Sequence, residues 1–292
     1  MQNSIKTKED FNYLRKKTYT LFDFLPSNCT SLNSDETVLL RRSAEGVLYV
    51  IMNRPQVHNA FDGQQIEKLI EVLEKAEDDP RVKVIVLTGA GENFCAGGDL
   101  NHMRAIGENS FEENKADALR LALLMNRLHE FPKPTIARVN GAAYGGGVGL
   151  VCCCDMAFGT AQTTLCLSEV KIGMVPATIG PYIIKAIGLR HAHRFMLTAE
   201  SIKGQQAVDT NFLSHIFEQE EFSEKVNAIA KKITSNAPNA LQISKALLLN
   251  LAYQNIDENS IDYTADVIAS VRESEEGKEG LSAFLEKRKP KF

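Results

Sequence analysis

No stretch of the 292 residues approaches the about 18 uninterrupted apolar residues of a membrane-spanning helix, so a helical membrane protein is excluded. Positive charge is also short: 33 Lys and Arg against 37 Asp and Glu leave a net charge of −4, whereas a nucleic-acid surface wants a basic stripe. A CxxC with matching histidines is missing. The glycine-rich loops fit neither GxGxxG after a strand nor GxxxxGK(S/T), so no metal, nucleotide cofactor or P-loop is expected. The N-terminal residues lack the unbroken apolar centre of a secretory peptide. Tryptophan is absent too, which decides nothing. Six cysteines in a chain this long do not make a disulfide scaffold. Cys152, Cys153 and Cys154 are consecutive, and neighbours on a helix point about 100° apart, so they cannot converge on one ion. They read as small buried hydrophobes of a reducing compartment.

What is present suits one large domain, or one domain with an appendage: 44% hydrophobic and 24% charged residues over 292 positions. Residues 1–36 read as an N-terminal extension, an arm that packs on a neighbouring subunit. Two strands are expected over 37–42 and 47–53, an amphipathic helix over 64–78, a buried strand over 82–87, a helix over 119–128 and a strand over 135–139. That alternation favours an α/β core with parallel pairing over residues 37–220. Short strands are expected at 156–159 and 164–167, and helices at 179–187 and 192–198. Residues 221–292 are expected to be helical throughout, as an oligomerisation region or as a covering layer on the same core.

Two loops carry the candidate chemistry. Thr135 to Val139 lead through Gly141 to the triplet Gly145–Gly147, which opens a small apolar helix with bare backbone N–H groups at its N-terminus. Phe94-Cys95-Ala96-Gly97-Gly98-Asp99-Leu100 follows the buried strand and again leaves backbone amides open to a close ligand. Two such loops, each aiming one N–H at the same point, form an oxyanion hole for a carbonyl oxygen that gains charge as an enolate. Glu169 is the only acidic residue in the run 165–175 and the expected acid/base. Asp99 is expected to cap the following helix, and Cys95 lacks a base partner that would make it a nucleophile.

NRPxxxNA (Asn53 to Ala60), FCAGGDL (Phe94 to Leu100), PKPTIARVNGAAYGGGVGL (Pro132 to Leu150) and SEVKIGMVPA (Ser168 to Ala177) together resemble the crotonase, or enoyl-CoA hydratase/isomerase, superfamily. The resemblance runs from about Thr37 to Phe292. Within it, FCAGGDLNHMR, GGGVGLVCCCD and SEVKIGMVPATIGPYIIKAIG look most like bacterial methylglutaconyl-CoA hydratases of leucine degradation, with relatives that act on terpenoid acyl-CoAs.

The resemblance implies an α/β fold, a repeated ββα spiral core with a helical C-terminal region that builds trimers, often stacked into hexamers. It implies an acyl-CoA thioester substrate, no cofactor beyond the CoA of that substrate, no nucleic-acid or membrane partner, and a location in the cytoplasm of a bacterium or the mitochondrial matrix of a eukaryote. It assigns the oxyanion hole to the amides of Ala96 and Gly146 and catalysis to Glu169. CoA would pass near His58, Ala60 and Cys95, with Gly97, Gly98, Asp99 and Gly149 around the bound thioester. Phe284 and Lys287 would contact CoA held in an adjacent subunit. A typical hydratase of this superfamily has a second glutamate where this chain has Gly149, and single-glutamate members include isomerases and decarboxylases. Hydration by Glu169 alone is therefore weighed against isomerase or decarboxylase chemistry, and against a non-catalytic CoA-binding protein. His102 and Arg104 are the nearest candidates for a distal substrate carboxylate. Tyr144 is a candidate lining residue, and residues 105–121 are expected to wall the acyl pocket.

Overall fold

The computed structural model describes residues 24–33, 36–252 and 254–292. Most of the expected N-terminal arm, residues 1–23, lies outside the described residues.

The sheet begins with β1 (Thr30–Ser31), β2 (Val38–Arg42) and β3 (Val47–Met52), antiparallel in turn. All six residues of β3 are buried, as are all six of β4 (Val84–Gly89), which runs parallel to it. A strand apolar on both faces has to be covered on both, and the parallel crossover through helix α1 (Gly63–Asp78) supplies one cover. Asp62 caps that helix by accepting from Gln65 N–H at 2.9 Å, and Ile66, Leu69, Ile70 and Leu73 form its buried face.

A short helix α2 (Leu100–Ile106) and a long one, α3 (Phe111–His129), lead to β5 (Thr135–Arg138). α3 begins eight residues before the expected start. A capping box between Ser110 and Glu113 nucleates it, and its first turns carry no buried face for apolar spacing to reveal; only Leu124, Met125 and Leu128 are buried. After β5 come β6 (Ala142–Tyr144), α4 (Gly146–Cys153), β7 (Met156–Thr160) and β8 (Thr164–Cys166). Helix α5 (Gly180–Thr198) is interrupted at Gly188, whose φ of 73° is non-helical, which accounts for the two helices expected there. Then follow β9 (Ile202–Lys203), α6 (Gly204–Asp209) and β10 (His215–Phe217), three pieces too short to show periodicity.

The seven-stranded sheet has the order β1-β2-β3-β4-β5-β7-β10, parallel from β3 onward, and β6, β8 and β9 form a small second sheet. On one face, α1, α3, α4 and α5 enclose the larger core around Val50, Leu87, Leu128 and Leu150. The other face is covered by α7 (Phe222–Thr234), whose Phe222, Val226 and Ala230 pack on Tyr49, Val86, Ile136 and Phe158. The last helices are α8 (Pro238–Leu251), α9 (Glu258–Glu273) and α10 (Glu275–Leu285). Among the described residues no helix is long and apolar enough to cross a membrane.

Candidate active site

The loop after β4 is zipped onto β6. Phe94 N–H and Cys95 N–H donate to the Ala142 carbonyl at 3.0 and 3.2 Å, and Tyr144 N–H donates to the Cys95 carbonyl at 2.9 Å. This pairing carries the first glycine loop onto the second. Gly97 has φ 88°, and a methyl group there would lie 3.0 Å from the Tyr144 carbonyl oxygen and 4.0 Å from the Gly146 nitrogen. No larger residue fits so close an approach.

The structure corrects one of the two expected amide donors. Ala96 N–H already donates to the His58 carbonyl at 3.0 Å, so it has no proton to offer a ligand. Two residues on, the chain bridges Phe61: Phe61 N–H donates to the Gly97 carbonyl at 2.9 Å, and Asp99 N–H donates to the Phe61 carbonyl at 3.0 Å. In a parallel bridge of this kind the residue between the two bonds, Gly98, turns its own N–H to the opposite side. Gly98 N–H meets no acceptor among the described residues, and neither does Gly146 N–H at the first position of α4. These two amides, on loops in direct contact, are the pair open to an oxygen. Gly98 was expected around the thioester but not as a donor.

Glu169 follows β8 and starts a 3-10 turn (Glu169–Ile172) closed by Gly173 at φ 74°. Its carboxylate lies against the triplet: a methyl group on Gly145 would sit 3.1 Å from Glu169 Oε1. Glu169 Oε2 is buried and has no hydrogen-bond partner among the described residues. Burial raises the pKa of this acid above the ordinary carboxylate value, only partly offset by its own backbone N–H. A desolvated carboxylate with one oxygen unpaired, beside two open amides, can exchange a proton with whatever those amides hold.

At Gly149 the side-chain space is occupied rather than vacant. A Cβ there would collide with Ile179 Cγ2, and would lie 2.9 Å from Ile179 Cβ and 3.2 Å from Met125 Cε. Gly149 is buried in α4 under these apolar groups, so the contact expected with the bound thioester finds no open surface there. Asp99 is corrected as well. Its carboxylate caps α2, accepting from Asn101 N–H at 2.8 Å and His102 N–H at 3.4 Å, and pairs with Arg54 Nη2 at 2.8 Å. Burial pushes its pKa up, but those hydrogen bonds and the guanidinium outweigh it and hold the acid low. It is structural, as its capping position suggested.

Cys95 is fully buried and its thiol is pushed up to about 12 by burial, which leaves it no nucleophilic character. His58 is exposed at the rim with φ 54°, its Nδ1 2.9 Å from Asn93 Nδ2, while Ala60 is buried and its carbonyl accepts from Arg54 Nη1 at 2.6 Å. His102 Nε2 stands 3.2 Å from Asp117, and Arg104 is exposed. Tyr144 is half-buried between the loops. Phe284 and Lys287 are exposed at the end of α10, and neither side chain makes a hydrogen bond or ion pair among the described residues. Phe61, whose ring covers the open side of Gly146, and Ile179 were not singled out from sequence. Among the described residues no group of three or more His, Cys, Asp or Glu is placed to hold a metal.

The chain has relatives among known proteins. An enoyl-CoA hydratase structure from Shewanella pealeana superposes with a TM-score of 0.85 at 41% identity, covering 88% of this chain and 96% of that one. The 2,3-dehydroadipyl-CoA hydratase of Escherichia coli is 32% identical over 249 residues, 84% of this chain and 94% of its own length. The peroxisomal Delta(3,5)-Delta(2,4)-dienoyl-CoA isomerase of Arabidopsis thaliana is 30% identical over 267 residues, 87% of this chain and 95% of its own length. Residues 42–292 match the family described as enoyl-CoA hydratase/isomerase. A match from the second strand to the last residue, over a crotonase-type α/β fold, makes this chain a member of the enoyl-CoA hydratase/isomerase family.

Proposed function

We propose that the protein is a hydratase that adds water to a 2-enoyl-CoA thioester, with Glu169 as its sole acid/base. The thioester oxygen accepts from Gly98 and Gly146 N–H, which lowers the energy of the enolate formed as the β-carbon is attacked. The Glu169 carboxylate takes one proton from water while the resulting hydroxide bonds to the β-carbon. The same carboxyl then returns that proton to the α-carbon, the enolate collapses, and the product is a 3-hydroxyacyl thioester. The observation that carries this reading is the orphaned, buried Glu169 Oε2 beside the glycine triplet.

The proposed acyl group is 3-methylglutaconyl-like, from leucine or acyclic terpene degradation. It is supported by the resemblance of the three site segments and by exposed Arg104, just past the Gly98 loop, for a distal carboxylate. Trimers or dimers of trimers are proposed from the apolar side chains left open on α8 to α10, with Phe284 and Lys287 reaching CoA in a neighbour. Six free cysteines support a reducing compartment, the cytoplasm of a bacterium or the mitochondrial matrix of a eukaryote.

The test follows the ultraviolet absorbance of the conjugated thioester with crotonyl-CoA and with 3-methylglutaconyl-CoA. Loss of absorbance, faster with the second, is the expected result. An isomerase or decarboxylase is the second reading, favoured by Ile179 filling the space over Gly149, because one carboxylate suffices to shuttle an allylic proton. A 3-enoyl-CoA that gains conjugation, with neither 2-enoyl substrate hydrated, would select it. CoA binding without any turnover would leave a binding protein.

A further inference from the structure

The two amides sit on separate loops, and their separation decides whether both reach one oxygen. Asn140, between β5 and β6, bridges the segments that lead to them. Its Oδ1 accepts from Thr88 Oγ1 at 2.9 Å and from Gly89 N–H at 3.1 Å. Its Nδ2 donates to the Gly89 and Gly91 carbonyls at 2.9 Å each, with a longer 3.4 Å approach to the Asn93 carbonyl. One side chain on the segment running toward Gly146 thus binds both the end of β4 and the turn after it, which run toward Gly98. The clasp is tight, since Gly141 (φ 115°) has no room for a Cβ against the Glu92 carbonyl. Two more asparagines hold the same turn. Asn59 Nδ2 donates to the Ala90 and Asn93 carbonyls at 2.8 and 2.7 Å, and Asn93 Oδ1 accepts from Ala142 N–H at 3.3 Å. Of the three, Asn140 is the one whose carboxamide is filled on both ends by the opposing turn.

We propose that Asn140 is a positioning residue that sets the distance between the Gly98 and Gly146 amides, through its four short bonds to residues 88–91. This rests on the reading of those amides as the thioester-oxygen site. Asn140 touches no substrate. Its loss lets the turn drift against β6 and leaves one amide off the oxygen in the transition state, where hydrogen-bond length matters most.

The experiment compares wild type with Asn140→Ala and with Asn140→Asp, the isosteric variant that keeps the acceptor and loses both donors. Three quantities are read below the unfolding midpoint of each variant: kcat, KM, and the thioester carbonyl stretch of a bound, carbonyl-labelled saturated acyl-CoA by infrared difference spectroscopy. Expected is a kcat lower by about 10²-fold in either folded variant, the size of losing one oxyanion donor. KM should stay within about threefold, and the carbonyl stretch should return part-way to its value in water. Wild-type kcat, a raised KM alone, or a fallen kcat with the wild-type carbonyl shift would each overturn the proposal. A wild type that shifts no thioester carbonyl and turns over no enoyl-CoA would instead overturn the reading of the amides. If Asn140→Ala does not fold, Asn140→Asp decides, since it keeps the bonds to Thr88 and Gly89 N–H.

Discussion

The glycine loops and the last three helices break the ordinary rules of burial in opposite ways. Around Gly98 and Gly146, on loops zipped together by backbone hydrogen bonds, two backbone amides and one buried carboxylate oxygen find no partner among the described residues. Helices α8 to α10 bury only Lys245, Ser260 and Ala283 among the described residues, and leave Leu248, Ile261, Leu281, Phe284 and Leu285 largely exposed. The first departure is small and polar and fits a ligand oxygen. The second is broad and apolar and fits protein surface. Where local consistency fails, the kind of failure points to what completes it.

The largest expected effect breaks the polar side of this contrast. Glu169→Gln should lower turnover by about 10²–10⁴-fold, the usual share of a general acid/base. It should not lower stability. The pKa of Glu169 is raised by burial, so the folded state holds this proton more tightly than the unfolded chain. Stability from this group is therefore greatest at low pH and is lost as pH rises from the ordinary carboxylate value through the raised one. The variant should melt at or above the wild-type temperature at pH 8, and the gap should close near pH 4. Wild-type activity should fall as pH drops through the raised pKa, because the base must be ionised. A variant that melts lower at pH 8 would mean the carboxylate has partners that stabilise it.

Gly149→Glu comes next. It puts a longer, charged side chain where Ile179 and Met125 already pack, and overpacking of this kind costs about 1–3 kcal/mol before any charge is buried. Urea denaturation should show that loss, and Gly149→Glu with Ile179→Ala should recover at least half of it. Full stability in the single variant would mean that Ile179 yields easily and that the site could admit a second acid.

Lys245→Ala tests how the helical region is tied to the sheet. Lys245 Nζ, buried on α8, pairs with Asp155 at 2.8 Å, and Asp155 in turn accepts from Thr135 N–H at 2.7 Å at the start of β5. Removing one partner of a fully buried pair is strongly destabilising, but Asp155 is partly open to solvent, so the expected loss is about 1–2 kcal/mol. Thermal melts should show it without loss of kcat.

The contrast also explains what could be read from sequence. The cap at Asp99, the buried face of α1, the two helical segments of α5, the triplet and Glu169 rest on local chemistry, which spacing records. The choice between Ala96 and Gly98 does not. It depends on which residues of the loop meet His58 and Phe61, a pairing set by tertiary contact rather than by local pattern. Ile179 likewise lies 30 residues from the glycine it covers, and no local pattern joins them. The early turns of α3 were missed for a simpler reason: they bury no face, and apolar periodicity reports only the part of a helix that packs.

The smallest expected effect on the single chain, and the one that tests the apolar side, comes from Phe284→Ser. Phe284 is 79% exposed, so the isolated chain gains little from it, and its loss should move the unfolding free energy by less than about 0.5 kcal/mol at protein concentrations too low for association. In an assembly the same ring would be buried. Its removal should then lower the mass measured by light scattering at micromolar concentration and raise KM for the CoA thioester, with kcat at saturation little changed. An unchanged mass and KM would mean that the exposed apolar side chains of α10 are not an interface, and the comparison between the two regions would reduce to the glycine loops alone.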